Sequence, residues 1–189
     1  MSLTVRPARK ADTAAIHAIY ADAVAHGTAT YELDIPTSDE MAARFAAITE
    51  AGQPWLVAEM NGIMVGYAYA GPFRARPAYR FIVEDSIYVA PGQKRSGVGR
   101  ALLVALIDAC AALGYRQLIA VIGDGPGNPG SVGLHAALGF RHCGVMEGSG
   151  YKFERWLDTV IMQLALNGGT GTPPDAQSWP ERSFRLSQG

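Results

Sequence analysis

The sequence predicts a mixed α/β fold in one domain, and three observations carry that prediction. Two short apolar runs flank Asn61-Gly62, which reads as an antiparallel hairpin because Asn-Gly supplies the positive φ angles of a two-residue turn. Between Val83 and Ile122 a strand, a glycine-bearing turn, an apolar helix and a second strand follow one another, the order of a strand-helix-strand unit. The chain has 189 residues, 49% of them hydrophobic, enough to fill one core and short for two.

Taken in order, Leu3-Thr4-Val5-Arg6 alternates as a strand. Asp12 is expected to cap a helix whose apolar residues Ala15, Ile16, Ile19, Tyr20 and Val24 share a face, ending near Gly27. Thr37 with Glu40 three residues on is a capping box that opens a second helix, with Met41, Phe45 and Ile48 on its buried side and Gly52 and Pro54 closing it. The hairpin strands run Trp55–Met60 and Ile63–Ala70, and Gly71–Arg80 reads as an ordered loop. A strand at Val83–Val89 leads through Gly97 and Gly99 into an apolar helix that ends at Gly114. A strand at Gln117–Ile122, a loop at Gly123–Gly130, a short helix at Ser131–Leu138 and strands at Phe140–Met146 and Thr159–Leu166 complete the body.

From residue 167 the composition changes. Gly168, Gly169, Gly171, Pro173 and Pro174 form a linker, so 1–166 reads as the domain and 167–189 as a disordered tail, unless Trp179 and Phe184 dock on the body or on a second subunit.

Charge excludes some partners. Lys+Arg 16 against Asp+Glu 17 gives a net charge of -1, so no broad basic field favours nucleic acid, and any anion must be held by local charge. No apolar run is long enough for a membrane span or a signal-peptide core. Cys110 and Cys143 lie far apart and outside any Cys/His cluster, which speaks against a metal site or a disulfide framework and for a reducing cytoplasm.

The segment Val89-Ala90-Pro91-Gly92-Gln93-Lys94-Arg95-Ser96-Gly97-Val98-Gly99-Arg100 carries the strongest chemical signal. Glycines admit a ligand close to the backbone, and a helix N-terminus offers unpaired N–H groups and partial positive charge, an arrangement suited to a pyrophosphate. Leu102 stands where a dinucleotide fingerprint needs its third glycine, and no P-loop Gly-Lys-Ser/Thr occurs.

Gln93-Lys94-Arg95-Ser96-Gly97-Val98-Gly99 resembles the pyrophosphate loop of the GCN5-related N-acetyltransferases, and Asn128-Pro129-Gly130-Ser131 with Leu134-His135-Ala136-Ala137-Leu138-Gly139-Phe140 resembles that superfamily's second half. Pro54–Glu59, Tyr69–Phe73, Glu84–Val89 and Ser131–His135 are similar to the phosphinothricin and methionine sulfoximine N-acetyltransferase subfamily, over roughly residues 3 to 166. The chain departs from that pattern at Lys94, at a longer Gly123–Gly130 and at Gly133. The resemblance implies a central mixed, twisted sheet flanked by about four helices. It further implies a homodimer, acetyl-coenzyme A as donor and direct attack by an amine.

Such a reaction needs a base for the ammonium, donors for the oxyanion and a tolerable thiolate leaving group. The resemblance assigns Glu84 as the base, backbone N–H groups near Tyr88 and Val89 to the thioester carbonyl, and His135 as the acid for the thiolate. Read from the residues alone, Glu84 is rather a surface carboxylate at a strand entrance, and His135 a packed helix histidine or a structural cap on the acceptor pocket. Gln93, Lys94, Arg95, Ser96, Gly97, Val98, Gly99 and Arg100 are the expected donor-binding residues, with Asn128 and Ser131 beside the pantetheine or diphosphate. Arg74, Arg76 and Arg80, with Tyr79 in the same loop, suit a small dianionic amino acid because Arg grips carboxylate or phosphinate in two-pronged fashion. Tyr31 reads either as a wall of that pocket or as a core aromatic. The reaction read from the sequence is acetylation of the α-amine of methionine sulfoximine, methionine sulfone or phosphinothricin. Another amine, or a non-catalytic acyl-coenzyme A sensor, is the alternative.

Overall fold

The structure, a computed structural model, describes residues 2–188. Among these, seven strands form one sheet in the order β1-β2-β3-β4-β5-β7-β6, from β1 (Leu3–Pro7), β2 (Trp55–Met60), β3 (Ile63–Pro72), β4 (Ile82–Val89), β5 (Gln117–Gly123), β6 (Arg141–Lys152) and β7 (Arg155–Ala165). Only β4 and β5 pair in parallel, joined by the helix α3 (Val98–Ala112) as the strand-helix-strand reading requires. Asn61 and Gly62 take φ of 53° and 79° and close the β2–β3 hairpin.

Helices cover both faces. α1 (Thr13–His26) and α2 (Ser38–Glu50) bury Ile16, Ile19, Tyr20, Val24, Met41 and Phe45 against Trp55, Val57 and Tyr67. On the other face Leu102, Leu103 and Leu106 of α3 are fully buried against Ala58, Ala68, Val83, Leu118 and Ala120, with α4 (Pro129–Ala137) packed beside them. The Thr37–Glu40 capping box forms, Glu40 N–H donating to Thr37 Oγ1 at 3.2 Å and Thr37 N–H to Glu40 Oε2 at 2.6 Å. Asp12 departs from expectation. It precedes α1 but makes no side-chain cap, because its carboxylate is taken by Arg6 at 2.7 and 2.9 Å and by Arg9 N–H at 2.7 Å.

Two segments differ from the sequence reading. β6 and β7 extend to Lys152 and back from Arg155, across a turn whose residues Phe153 and Glu154 hold φ of 51° and 59° without being glycine, while β6 shifts register at Cys143 and again between Met146 and Gly150. The tail does not read as disorder. Residues 179–186 form the helix α5 (Trp179–Leu186), docked on the body: Trp179 N–H donates to Leu113 O at 2.8 Å, and its Nε1 donates to Ala51 O at 3.1 Å. Its ring lies on Gly52, where a β-carbon would stand 2.5 Å from the indole. Aromatic burial and these bonds outweigh the entropy of the glycine-rich linker.

Candidate active site

The site begins as a gap in the sheet. β4 and β5 pair from Ile82↔Gln117 to Asp85↔Ala120, and then β4 stays with β3 as far as Val89 while β5 stays with β7 as far as Gly123. Ser86–Val89 and Val121–Gly123 therefore splay apart. Ala90 N–H donates to Val65 O of β3 at 2.9 Å, and strand N–H groups alternate between the two edges. It follows that Ile87 and Val89 aim their N–H groups into the gap and Tyr88 aims its own at β3. Of the two amides expected at a thioester carbonyl, Val89 faces the opening and Tyr88 does not, its place being taken by Ile87.

One mouth of the gap is the start of α3. Gly97 is its N-cap with φ of 87° and no side-chain cap, so the amides of Val98, Gly99 and Arg100 lack both an earlier carbonyl and a capping oxygen. Gly97 has open space where a β-carbon would project. Ser96 Oγ donates to Gln93 O at 2.5 Å and fixes the loop, while Lys94, Arg95 and Arg100 are exposed around it. α4 forms the other lip: a β-carbon on Gly99 would lie 3.3 Å from Leu134, and Asn128 is the N-cap of α4, its carbonyl accepting Ser131 N–H at 3.1 Å. This cradle of free amides under positive partial charge fits a diphosphate.

The opposite face carries Glu84. Side chains alternate along β4, so Glu84, Ser86 and Tyr88 face α1 and α2, whereas Val83, Asp85, Ile87 and Val89 face α3 and α4. Beside Glu84 stands a stacked aromatic wall: Trp55 on Tyr69 at 4.3 Å, Tyr67 on Tyr88 at 5.2 Å, and Tyr20 edge-on to Tyr88 at 5.0 Å. Burial, together with the Asp85 charge, raises the Glu84 carboxyl above its ordinary range, and Arg74 draws it partly back.

The arginine loop enters β4 directly before Glu84. Arg74 is exposed, lying 4.5 Å over the Phe73 ring, and Arg76 is exposed at the start of a 3-10 turn Pro77–Tyr79, where Tyr79 meets Phe73 edge-on at 6.0 Å. Arg80 points elsewhere: its Nε donates to Glu181 Oε2 of α5 at 2.9 Å. Tyr31 packs against β5 and β6. Its ring covers Gly123 and Gly150, and its hydroxyl meets Thr159 Oγ1 at 2.8 Å and receives Asp124 N–H at 3.2 Å. That places it at the far end of β5, about 13 Å along the strands from Glu84 at ~3.3 Å per residue.

His135 lies on the α3–α4 face, 3% exposed, with both ring nitrogens engaged. Nδ1 is 2.8 Å from Ser131 O, which can only accept, so Nδ1 carries a proton; Nε2 is 3.0 Å from Asp85 Oδ2, with a second proton between them. Burial opposes the imidazolium, but Asp85 and the Ser131 carbonyl outweigh it and the His135 pKa is raised. Asp85 Oδ1 is buried without a partner. Sequence reasoning missed Asp85, although a carboxylate on the apolar side of Val83-Glu84-Asp85-Ser86-Ile87 was a visible signal. It also missed Asp124, which clamps Thr28 at 2.8 Å and Arg155 at 2.6 Å, a link over about 96 residues of chain that local pattern does not reveal.

Among the described residues no group of His, Cys, Asp and Glu is placed to hold a metal ion, and no helix is long and apolar enough to cross a membrane. Residues 5–161 match the family model described as an acetyltransferase (GNAT) domain. The chain is 52% identical to phosphinothricin N-acetyltransferase of Alcaligenes faecalis over 91% of this chain and 87% of that protein. It is 41% identical to the L-methionine sulfoximine/L-methionine sulfone acetyltransferase of Salmonella typhimurium over 87% and 95%. A crystal structure of a GNAT superfamily phosphinothricin acetyltransferase from Sinorhizobium meliloti, in complex with AcCoA, superposes with a TM-score of 0.91 at 49% identity, covering 96% of this chain and 97% of that one. With a sheet split between its two parallel strands and a glycine-capped helix at the split, the chain belongs to the GNAT acetyltransferase family.

Proposed function

We propose that this N-acetyltransferase takes acetyl from acetyl-coenzyme A and passes it to the α-amine of a small amino acid with a tetrahedral polar side-chain end, of the methionine sulfoximine, methionine sulfone or phosphinothricin type. One observation carries the reading: the β4–β5 gap opens on one side to the uncapped amides of α3 and on the other to Glu84. The names of its relatives support the acceptor class.

In this reading the diphosphate rests on the Val98, Gly99 and Arg100 amides, with Lys94, Arg95 or Arg100 at the outer phosphates. Glu84 takes one proton from the acceptor ammonium, directly or through water. The freed amine attacks the acetyl carbon, a C–N bond forms, and Ile87 and Val89 N–H groups meet the developing oxyanion. Collapse breaks the C–S bond; the thiolate leaves and the nitrogen's excess proton ends on it through solvent. A thiol of pKa about 8.5 leaves without strong acid help. His135 is engaged on both nitrogens, so it serves as the tie between α4 and β4. Arg74 and Arg76 hold the acceptor's anionic groups.

A homodimer is part of the same proposal. β6 is an edge strand, and Val145, Met146, Tyr151, Phe153 and Trp156 are exposed along its hairpin, an apolar surface suited to a second copy. Sedimentation of the wild type and of Trp156→Arg checks it: the wild type is expected at twice the chain mass and the variant at one. For the activity, acetyl-coenzyme A with a panel of amino acids, followed by thiol release, is decisive. Methionine sulfone and its relatives should release thiol fastest. Thiol release with peptide N-termini or polyamines alone would overturn the acceptor assignment.

A further inference from the structure

We infer that α5 positions the acceptor loop 73–81, with Glu181 as the positioning residue acting through Arg80. The inference rests on the assignment of Arg74 and Arg76 to the acceptor. The Arg80 guanidinium lies between two aromatic rings, 4.5 Å over Phe81 and 4.8 Å over Phe184 of α5. Its Nε donates to Glu181 Oε2 at 2.9 Å and its Nη1 to Pro77 O at 3.2 Å, so one side chain joins the helix to the 3-10 turn of the loop.

The helix has the anchorage such a role requires. Besides Trp179, the nearly buried Arg116 holds the linker, its Nε donating to Gly169 O at 2.7 Å and its Nη2 to Thr172 O at 2.8 Å. The backbone of the same Arg116 donates to Phe81 O at 2.9 Å, at the exit of the loop. Loop exit and linker thus converge on one residue, and α5 closes the circuit at Arg80. Beyond geometry, Glu181 changes the electrostatics. Three arginines in one short loop repel one another; with Arg80 neutralised and turned toward α5, Arg74 and Arg76 are left as the pair free to face an anionic acceptor. Residues 162–189 lie outside the family match and yet set the position of a loop next to the base.

The test uses the full chain with Glu181→Gln, Phe184→Ala, the charge exchange Arg80→Glu/Glu181→Arg, and Arg74→Ala. Amide hydrogen exchange of 73–81 and steady-state kinetics with methionine sulfone are read for each. Glu181→Gln and Phe184→Ala should each speed exchange in the loop and raise the acceptor KM by about two- to fivefold, the range of a partly exposed ion pair, with kcat and coenzyme A affinity kept. The charge exchange restores the ion pair but neither the Pro77 hydrogen bond nor the ring contacts of Arg80, so it should return both readouts only part of the way from Glu181→Gln toward wild type. Unchanged loop exchange in both single variants would overturn the inference, as would kcat and coenzyme A affinity falling together with KM, the mark of general structural loss. If Arg74→Ala raises the acceptor KM and Glu181→Gln does not, the acceptor assignment stands and this inference alone falls. If neither moves KM while the loop exchanges faster, the acceptor assignment itself fails.

Discussion

Glu84 and Asp85 are consecutive on β4 and point to opposite faces of the sheet, Glu84 toward the aromatic wall and Asp85 toward His135 at 3.0 Å. Their separation by the backbone divides two kinds of chemistry. The carboxylate on the α1–α2 face is left short of partners and easy to protonate, while the one on the α3–α4 face is locked to an imidazole.

Glu84→Gln should lower kcat by about 10²- to 10⁴-fold and recover partly at high pH, where more amine is free. The raised Glu84 pKa means the folded state holds that proton more tightly than the unfolded chain, so its ionised form costs stability at neutral pH. Thermal melts at pH 7 should therefore show Glu84→Gln no less stable than wild type. A steep fall in Tm would make Glu84 a structural residue.

His135 has the opposite sign. Its folded pKa is raised, so its stabilisation is fully present below the unfolded value of about 6.5 and is lost as pH rises through the folded value. His135→Asn should cost on the order of 3 kcal/mol at pH 5 to 6, with a smaller loss at high pH, because it breaks a buried pair. Turnover should fall less than in Glu84→Gln. Denaturant titrations across pH and kcat on the same samples decide; a drop in kcat as large as that of Glu84→Gln with unchanged stability would make His135 the thiolate's proton donor.

Gly97→Asp adds negative charge at the free amides of α3, in a left-handed conformation that Asp tolerates better than most residues. Coenzyme A affinity should weaken by roughly one decade or more. Titration calorimetry that finds the affinity unchanged would move the diphosphate elsewhere.

Arg74→Ala should reduce kcat/KM for methionine sulfone by about one to two decades, the value of a lost charge-assisted hydrogen bond of about 1.5 to 3 kcal/mol. Coenzyme A affinity should stay. Initial rates at varied acceptor concentration measure it, and an unaltered kcat/KM would remove Arg74 from the acceptor site.

What the sequence reveals here is what is local. The capping box, the Asn61-Gly62 hairpin and the glycine turn into α3 each lie within a few residues, and each forms. Phe153-Glu154 hid a hairpin because its turn residues are not those that ordinarily adopt positive φ, and the strand read as ending at Met146 continues past a register shift between Met146 and Gly150. Asp12 was claimed by Arg6, a competitor from the preceding strand β1. The partners of His135, Tyr31 and Arg80 lie 50, 128 and 101 residues away, so no spacing rule could single them out. In each case the residue was noticed and its partner was not.

The split between β4 and β5 has a thermodynamic side. Beyond Asp85 and Ala120 the two halves of the sheet share no ladder, and Ile87 and Val89 each present an N–H to which β5 offers no carbonyl. A sheet interrupted at its centre gives up cohesion there, and a ligand that threads the opening and accepts those hydrogen bonds acts as a missing strand. With the donor placed there as proposed above, its binding belongs to the folding equilibrium itself. The halves should melt as a single unit at a temperature that climbs with donor concentration, by about RT ln(1 + [L]/Kd) in free energy. Supply of the activated acyl group would in this way set how much intact enzyme the chain maintains as well as how fast it works.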